Sequence, residues 1–294
     1  MRIGIDLGGT KIEGAVLNAQ GTMIERLRKP TEATLGYEAV LEKIVALVRE
    51  LDTRVGTRCQ VGIGTPGAVS LLTGAMKNSN TTSLNGRFFV KDLQDQLDRE
   101  IRIANDANCF ALSEALDGGA RGKRVVFGII LGTGCGAGII FDGKVHAGPN
   151  AIAGEWGHNV LDQTGPLCYC GRHGCVESFL SGPGFSLDYC NATGQQNVDA
   201  VEIVNRAHTG EQAAQAALAR YIDRFGRAVA SVANILDPDV FVVGGGVSAL
   251  NELYSEGPKA VRKYVFSDDF TTPIVCNLHG DSSGVRGAAM LWEA

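Results

Sequence analysis

The chain has 294 residues, a formal net charge of −5 and 45% hydrophobic residues. This length favours two lobes of roughly 100–200 residues each over one small core. No cluster of Lys and Arg stands out, which argues against a nucleic-acid-binding surface. The opening MRIGIDLGG lacks the features of a signal peptide, and the longest apolar run, 127–141, is too short and glycine-rich to span a bilayer. We therefore expect a soluble, cytoplasmic protein with no nucleic-acid partner and no membrane partner.

The first part of the chain alternates predicted strands with predicted helices. The strands are predicted at 2–7, 15–17, 23–29, 61–64 and 101–104, and the helices at 37–51 and 107–116. The segment DLGGTK lies between the first two strands and fits neither a P-loop nor a Rossmann fingerprint, because no helix follows its glycines. Such a hairpin either binds a polyphosphate through backbone amides or is an ordinary glycine-rich turn. The candidate nucleotide-binding residues here are Asp6, Gly8, Gly9, Thr10 and Lys11.

The pattern then restarts, since GIILGTG at 128–134 repeats the strand, turn and glycine use of GIDLGGT at 4–10. The repeat predicts an internal duplication into lobes 1–117 and 118–282, with a last helix at about 283–294 packing back on the first lobe. Further strands are predicted at 125–131, 138–141 and 240–243, and further helices at 198–207 and 211–235. The second set of candidate nucleotide-binding residues is Gly132, Thr133, Gly134, Gly244, Gly245 and Gly246. A lone carboxylate between two phosphate loops, Asp6, could hold Mg²⁺ through water.

Two further segments contain candidate catalytic and metal-ligating side chains. Asp106 follows a strand and precedes a helix, so it is either the helix N-cap, a general base at the strand end, or both. The spacing C-x-C-x4-C with a nearby histidine predicts a closed, structural Cys3His zinc site. Its candidate ligands are His158, Cys168, Cys170 and Cys175, with His173 as the competing fourth ligand and a group of free thiols as the alternative.

The motifs, in order along the whole chain, resemble those of the ROK family of sugar kinases and repressors. They are DLGGTK (6–11), GTPG (64–67), NDAN (105–108), GTGCGAG (132–138), GEWGH (154–158), CYCGRHGCVE (168–177), DPDVFVVGGG (237–246) and GDSSGVRGAA (280–289). The resemblance implies an α/β, actin-like, hexokinase-type ATPase fold with two lobes around a cleft. It makes Asp106 the catalytic base and His158 a ligand of both zinc and sugar. The substrate-binding residues that it implies are Gly67, Asn80, Asn105, Asp106, Glu155, His158 and Glu177.

Within the family, stretches 77–86, 132–138 and 153–159 are most similar to bacterial fructokinases that also accept mannose. We therefore expect ATP- and Mg²⁺-dependent phosphorylation of fructose to fructose 6-phosphate, by a homodimer with structural Zn²⁺. N-acetylglucosamine, mannose and glucose are the alternative substrates. A sugar-responsive transcription regulator is disfavoured, because such relatives have a helix-turn-helix domain before the first glycine loop. A catalytically inactive sugar-binding module is disfavoured by the presence of Asp106 and both glycine loops.

Overall fold

The computed structural model describes residues 1–292, which form two compact units. The first unit comprises Met1–Gly118, Gly138–Ala153 and residues 281–292. The second unit comprises Gly119–Ala137 and Gly154–Gly280. Residues 138–153, which the sequence analysis assigns to the second lobe, thus belong to the first unit.

The strands of the described chain are β1 (Arg2–Leu7), β2 (Lys11–Leu17), β3 (Met23–Pro30), β4 (Gln60–Thr65), β5 (Ala68–Val69), β6 (Met76–Lys77), β7 (Ile101–Asn105), β8 (Val125–Leu131), β9 (Cys135–Phe141), β10 (Lys144–Val145), β11 (Val240–Gly244) and β12 (Ile274–Cys276). The α-helices are α1 (Tyr37–Val55), α2 (Phe89–Leu97), α3 (Asp106–Leu116), α4 (Glu177–Leu180), α5 (Gly182–Thr193), α6 (Ala200–His208), α7 (Gln212–Leu236), α8 (Glu252–Ser255), α9 (Gly257–Arg262) and α10 (Ser283–Met290). Every predicted strand and helix overlaps an observed one, although the bounds differ by a few residues. The last predicted helix ends at Met290, and residues 293 and 294 lie outside the described residues.

The first unit is built on a five-stranded sheet of order β3-β2-β1-β4-β7. The strands β1, β2 and β3 are antiparallel, whereas β4 and β7 continue the sheet in parallel with β1. Helix α10 packs against this sheet because two strand residues lack side chains. A Cβ at Gly4 or Gly62 would lie 1.9 Å from a backbone oxygen of α10. The carboxyl ends of β4 and β7 meet at one edge, where α3 begins.

The second five-stranded sheet has the order β10-β9-β8-β11-β12, and β8, β11 and β12 are parallel. In both sheets the first strand lies between its hairpin partner and the next parallel strand, as the predicted duplication requires. The aromatic side chains of Phe127, Phe241 and Trp156 pack edge to face in the core of the second unit. Within residues 1–292 no helix has both the length and the apolar character needed to cross a bilayer.

Candidate functional site

Asp106, the predicted general base, is the first residue of α3 and directly follows β7. The N-cap is Asn105, because its backbone is extended and its Oδ1 accepts a hydrogen bond from the Ala107 amide at 2.9 Å. Asp106 is therefore not the N-cap, which corrects that alternative of the sequence analysis. The same amide donates to Oδ1 of Asp106 at 2.8 Å. The start of α3 thus fixes both side chains, with the Asp106 carboxylate at the positive end of the helix dipole.

The Asn105 side chain connects α3 to the loop that contains Asn80. Its Nδ2 donates to the backbone oxygen of Gly67 at 3.3 Å. Gly67 has a φ of +78°, and a Cβ there would lie 2.7 Å from the backbone nitrogen of Ser79, so the close approach requires glycine. The side chain of Asn85 forms two hydrogen bonds of 2.9 Å with the Ser79 backbone and so fixes the loop beside the exposed Asn80. Asn85 was not predicted, and its sequence context does not distinguish it from other turn asparagines.

Asp6, the predicted magnesium residue, lies near the end of β1 within the first unit. A Cβ at Gly284 would lie 3.0 Å from its Oδ2, so the start of α10 approaches the carboxylate closely. Burial raises the pKa of Asp6 to about 7, with further contributions from the charges of Asp106 and Glu13 and opposition from Lys11. Asp6 and Asp106 therefore interact electrostatically. Two nearby carboxylates repel each other when both are ionised, and a bound divalent cation would relieve that repulsion.

The first glycine loop is a tight hairpin that leaves its tip exposed. The Gly8 amide donates to the Lys11 oxygen at 2.9 Å. The side chain of Thr31 donates to the Gly8 oxygen at 2.7 Å, and its amide donates to the Thr10 oxygen at 2.9 Å. Gly9 and Thr10 are exposed. The loop can therefore present backbone amides to an anion, as the sequence predicts.

The second unit brings three glycine-containing segments together. In the loop between β8 and β9, the Gly132 amide donates to the Gly134 oxygen at 2.9 Å, and the Gly132 oxygen accepts from the Gly182 amide at 2.8 Å. Gly245 has a φ of +87°, and a Cβ there would lie 2.3 Å from the oxygen of Leu131. The predicted loops at 132–134 and 244–246 are thus neighbours. The start of α5 at Gly182 is a third neighbour that the sequence analysis missed, since it lies outside both repeats.

Four side chains of the second unit form a group that can hold a metal ion. The ligand atoms of His158, Cys168, Cys170 and Cys175 all lie within 4.8 Å of one another. The distance between Nδ1 of His158 and Sγ of Cys168 is 3.6 Å, and so is that between Sγ of Cys170 and Sγ of Cys175. A tetrahedral zinc ion with bonds of about 2.0–2.3 Å separates its ligands by about 3.5–3.8 Å, so the group fits. His173 is outside the group, and its Nδ1 instead lies 3.1 Å from a backbone oxygen.

The second ring nitrogen of His158 has a partner that the sequence analysis did not identify. Nε2 of His158 lies 2.9 Å from the hydroxyl of Tyr169, and the two rings meet edge to face with centroids 5.1 Å apart. Tyr169 is 80% exposed, so a ligand could displace it from His158. Glu155 immediately precedes the 3-10 turn Trp156–His158 and is exposed, one three-residue turn from the histidine.

Glu177, a predicted sugar contact, begins α4 and lies against the second glycine loop. Its Oε2 accepts a hydrogen bond of 2.9 Å from the Cys135 amide, and a Cβ at Gly134 would lie 2.8 Å from the same oxygen. The backbone oxygen of Cys135 packs closely against Gly157, the residue before His158. A Cβ at Gly157 would lie only 2.0 Å from that oxygen. Burial, and then the charge of Glu177, raises the pKa of the Cys135 thiol. The metal group and the glycine loop are therefore connected through Cys135.

The predicted site residues thus form two groups, one in each unit. The group in the first unit is Asp6, Gly8, Gly9, Thr10, Lys11, Gly67, Asn80, Asn105 and Asp106. The group in the second unit is Gly132, Thr133, Gly134, Glu155, His158, Cys168, Cys170, Cys175, Glu177, Gly244, Gly245 and Gly246.

Comparison with known proteins identifies one family and many relatives. A model of the ROK family matches residues 2–294. A protein of Photobacterium profundum named N-acetyl-D-glucosamine kinase is 40% identical over 303 residues, which cover 99% of each chain. A protein of Pasteurella multocida with the same name is 39% identical over 305 residues, again with 99% of each chain covered.

Solved structures are similar over the same length. The ROK hexokinase from Thermus thermophilus is 29% identical, with a TM-score of 0.88 over 99% of this chain and 97% of its own. The ROK family glucokinase from Streptomyces griseus, in complex with glucose and AMPPNP, is 27% identical, with a TM-score of 0.82 over 99% and 98%. These neighbours confirm the predicted α/β fold of the actin-like, hexokinase type.

Proposed function

The chain belongs to the ROK family, and on this premise we propose that it phosphorylates N-acetyl-D-glucosamine with ATP. The observation that supports this substrate is the full-length similarity, at 38–40% identity, to proteins named N-acetyl-D-glucosamine kinase. These relatives support that alternative of the sequence analysis better than its first choice, fructose. The glucokinase solved with glucose and AMPPNP supports a hexose and ATP as the substrate pair.

Asp106 is the proposed general base for the transfer. Phosphoryl transfer needs positioning and charge stabilisation more than covalent chemistry, so the base has to hold the attacking sugar hydroxyl and accept its proton. Its carboxylate is fixed by the Ala107 amide, and Asn105 caps the helix behind it. A general base held this way keeps its geometry while the proton moves.

ATP is proposed to bind through the glycine loops, with Mg²⁺ as its counter-ion. The exposed Gly9 and Thr10 offer backbone amides, and Lys11 offers a charge that is 48% exposed. Asp6 is the carboxylate proposed to hold a phosphate-bound magnesium ion, which would supply charge neutralisation. Within the second unit, the adjacent loops at 132–134 and 244–246 are also proposed as nucleotide contacts.

The group of His158, Cys168, Cys170 and Cys175 is the proposed zinc site. Four protein ligands close the coordination sphere, which is typical of structural zinc and leaves no position for a catalytic water. The zinc would fix the segment that contains Glu155 and Glu177, two of the predicted sugar contacts. The homodimer also remains a proposal, which sedimentation of the purified protein would test.

The decisive experiment is a comparison of ATP-dependent phosphorylation of N-acetylglucosamine, fructose, mannose and glucose by the purified, metal-loaded protein. We expect kcat/KM to be at least about tenfold higher for N-acetylglucosamine, because a site that hydrogen-bonds an acetamido group leaves polar atoms unpaired with other sugars. A preference for fructose would return the substrate to the first choice of the sequence analysis. No ATP consumption with any sugar would instead support a sugar-binding module.

A further inference from the structure

We propose that the Glu177 carboxylate couples the Cys3His metal group to the glycine loop at 132–134, so that metal binding and nucleotide binding strengthen each other. The proposal rests on the proposed function for the identity of the nucleotide. It gives Glu177 a positioning role that is separate from its predicted contact with sugar. Every residue on which it depends belongs to the second unit.

The metal group fixes the start of α4. Cys175, a candidate ligand, lies two residues before Glu177, and its backbone oxygen accepts a hydrogen bond of 2.9 Å from Ser178. The Val176 amide donates to the Asn159 oxygen at 2.9 Å, which ties this turn to the residue that follows His158. Binding of an ion to both segments would therefore hold the first turn of α4 in one place.

The segment from α4 to the start of α5 in turn contacts the glycine loop at two points. At the start of α4, Oε2 of Glu177 accepts the Cys135 amide at 2.9 Å. At the start of α5, the Gly182 amide donates to the Gly132 oxygen at 2.8 Å. A carboxylate is the stronger type of acceptor for a backbone amide, so the contact with Cys135 is the one that charge reinforces. The loop is therefore held by Glu177 of α4 and by Gly182 of α5.

The sequence of the loop is matched to this contact. A Cβ at Gly134 would lie 2.8 Å from Oε2 of Glu177, whereas a Cβ at Gly132 would meet nothing within 4 Å. Neither glycine has the positive φ that would strain an alanine. The substitution Gly134→Ala therefore displaces the Glu177 carboxylate, and Gly132→Ala adds the same methyl group to the same loop without touching it.

The experiment measures the dissociation constant of Mg²⁺-ADP without sugar, before and after a zinc-selective chelator removes the metal, with excess Mg²⁺ throughout. Because coupling is reciprocal, the zinc affinity is measured with and without ADP as a second readout. In the wild-type protein we expect metal removal to weaken ADP binding at least about fivefold, at the lower end of typical coupling factors. We expect that factor to fall towards one in Gly134→Ala and Glu177→Ala.

Two variants separate positioning from a general loss of structure. Gly132→Ala should change ADP affinity equally in both metal states and so keep the coupling factor. Glu177→Gln should keep more of that factor than Glu177→Ala, because its amide oxygen still accepts the Cys135 amide, but without the charge. Equal ADP affinity in the two metal states of the wild type, or equal loss of coupling in Gly132→Ala and Gly134→Ala, would overturn the proposal. Coupling without turnover on any sugar would overturn only the proposed function, and no ADP binding to the metal-loaded protein would overturn both.

Discussion

Asn105 and Asp106 are neighbours at the start of α3, yet substitution of Asp106 should lower turnover and substitution of Asn105 should lower stability. Asp106→Asn keeps the shape and the amide contact but cannot accept a proton, so turnover should fall by about 10²–10⁴-fold while sugar affinity changes little. Asn105→Ala removes the N-cap and should lower the free energy of unfolding by about 1 kcal/mol. Steady-state kinetics, sugar titration and denaturant unfolding of both variants check this. Near-normal turnover in Asp106→Asn would remove Asp106 as the base.

The raised pKa of Asp6 should make stability depend on pH in the absence of Mg²⁺. Its pKa is about 7 in the folded protein and about 3.9 in an unfolded chain, so only the unfolded state ionises between these values. Stability should therefore fall as pH rises from 4 to 7, and remain lowered above 7. Asp6→Asn lacks this loss, so its stability advantage over the wild type should be smaller at pH 5 than near pH 8. Denaturant unfolding at both pH values measures it, and an equal difference at the two would show that Asp6 has an ordinary pKa.

Single residues were predictable where the covalent spacing itself determines the chemistry. The cysteine spacing indicated three of the four members of the metal group, whereas the choice of His158 over His173 came from the family resemblance and agrees with the group in the folded chain. Tyr169, Asn85 and Gly182 were missed because their roles depend on partners far along the chain or on the orientation of one side chain. Local sequence contains no record of such contacts.

At the scale of elements, the segment from His158 to Glu177 consists mainly of turns and two isolated β-bridges, so the metal should stabilise it. Cys170 and Cys276 are both exposed thiols, but only Cys170 belongs to the metal group. Cys170→Ser should lower the zinc content from about one ion per chain to near zero and lower the melting temperature, while Cys276→Ser should change neither. Elemental analysis and thermal unfolding test this. A wild-type protein that contains no zinc, and whose melting temperature does not change when zinc is added, would refute the site.

Close packing of α10 against α3 is the second element-scale feature, and it depends on Gly287. A Cβ at Gly287 would lie 1.6 Å from the backbone oxygen of Cys109 in α3. Gly287→Ala should therefore cost about 1–3 kcal/mol of stability and lower kcat, because α3 begins with Asp106. Gly246→Ala, whose Cβ would meet nothing within 4 Å, should stay within about 0.5 kcal/mol of the wild type. Similar unfolding free energies for the two variants would contradict this packing argument.

Elements were predictable where periodicity and glycine turns agree, as in β1, β2 and β8. Helix α2 was missed even though its buried Phe89, Leu93 and Leu97 have helical spacing, because it has only nine residues and follows a turn-rich stretch. Helix α5 was missed for a different reason. It begins Gly-Pro-Gly and buries few apolar residues, so tertiary contacts rather than local pattern determine it.

At the scale of the whole molecule, the repeated glycine turns pointed to a duplication, and the matching strand orders of the two sheets agree with it. The preferred sugar was harder to predict. Family motifs define the phosphate loops and the base, which different sugar kinases share, whereas a few loop residues distinguish one hexose from another. Similarity over short stretches favoured fructose, but similarity over the whole chain favours N-acetylglucosamine.

Ligand-linked stability gives a whole-molecule test of that choice which does not depend on turnover. A sugar that binds only the folded chain, and is present at a concentration 100 times its dissociation constant, stabilises that chain by about 2.7 kcal/mol. This should raise the melting temperature by several degrees. We expect N-acetylglucosamine to produce this shift and fructose at equal concentration to produce little. Asp106→Asn should retain most of the shift, because the variant lacks the base but keeps a polar side chain of the same size. An equal shift with fructose would show that the acetamido group is not recognised, even if both sugars are phosphorylated.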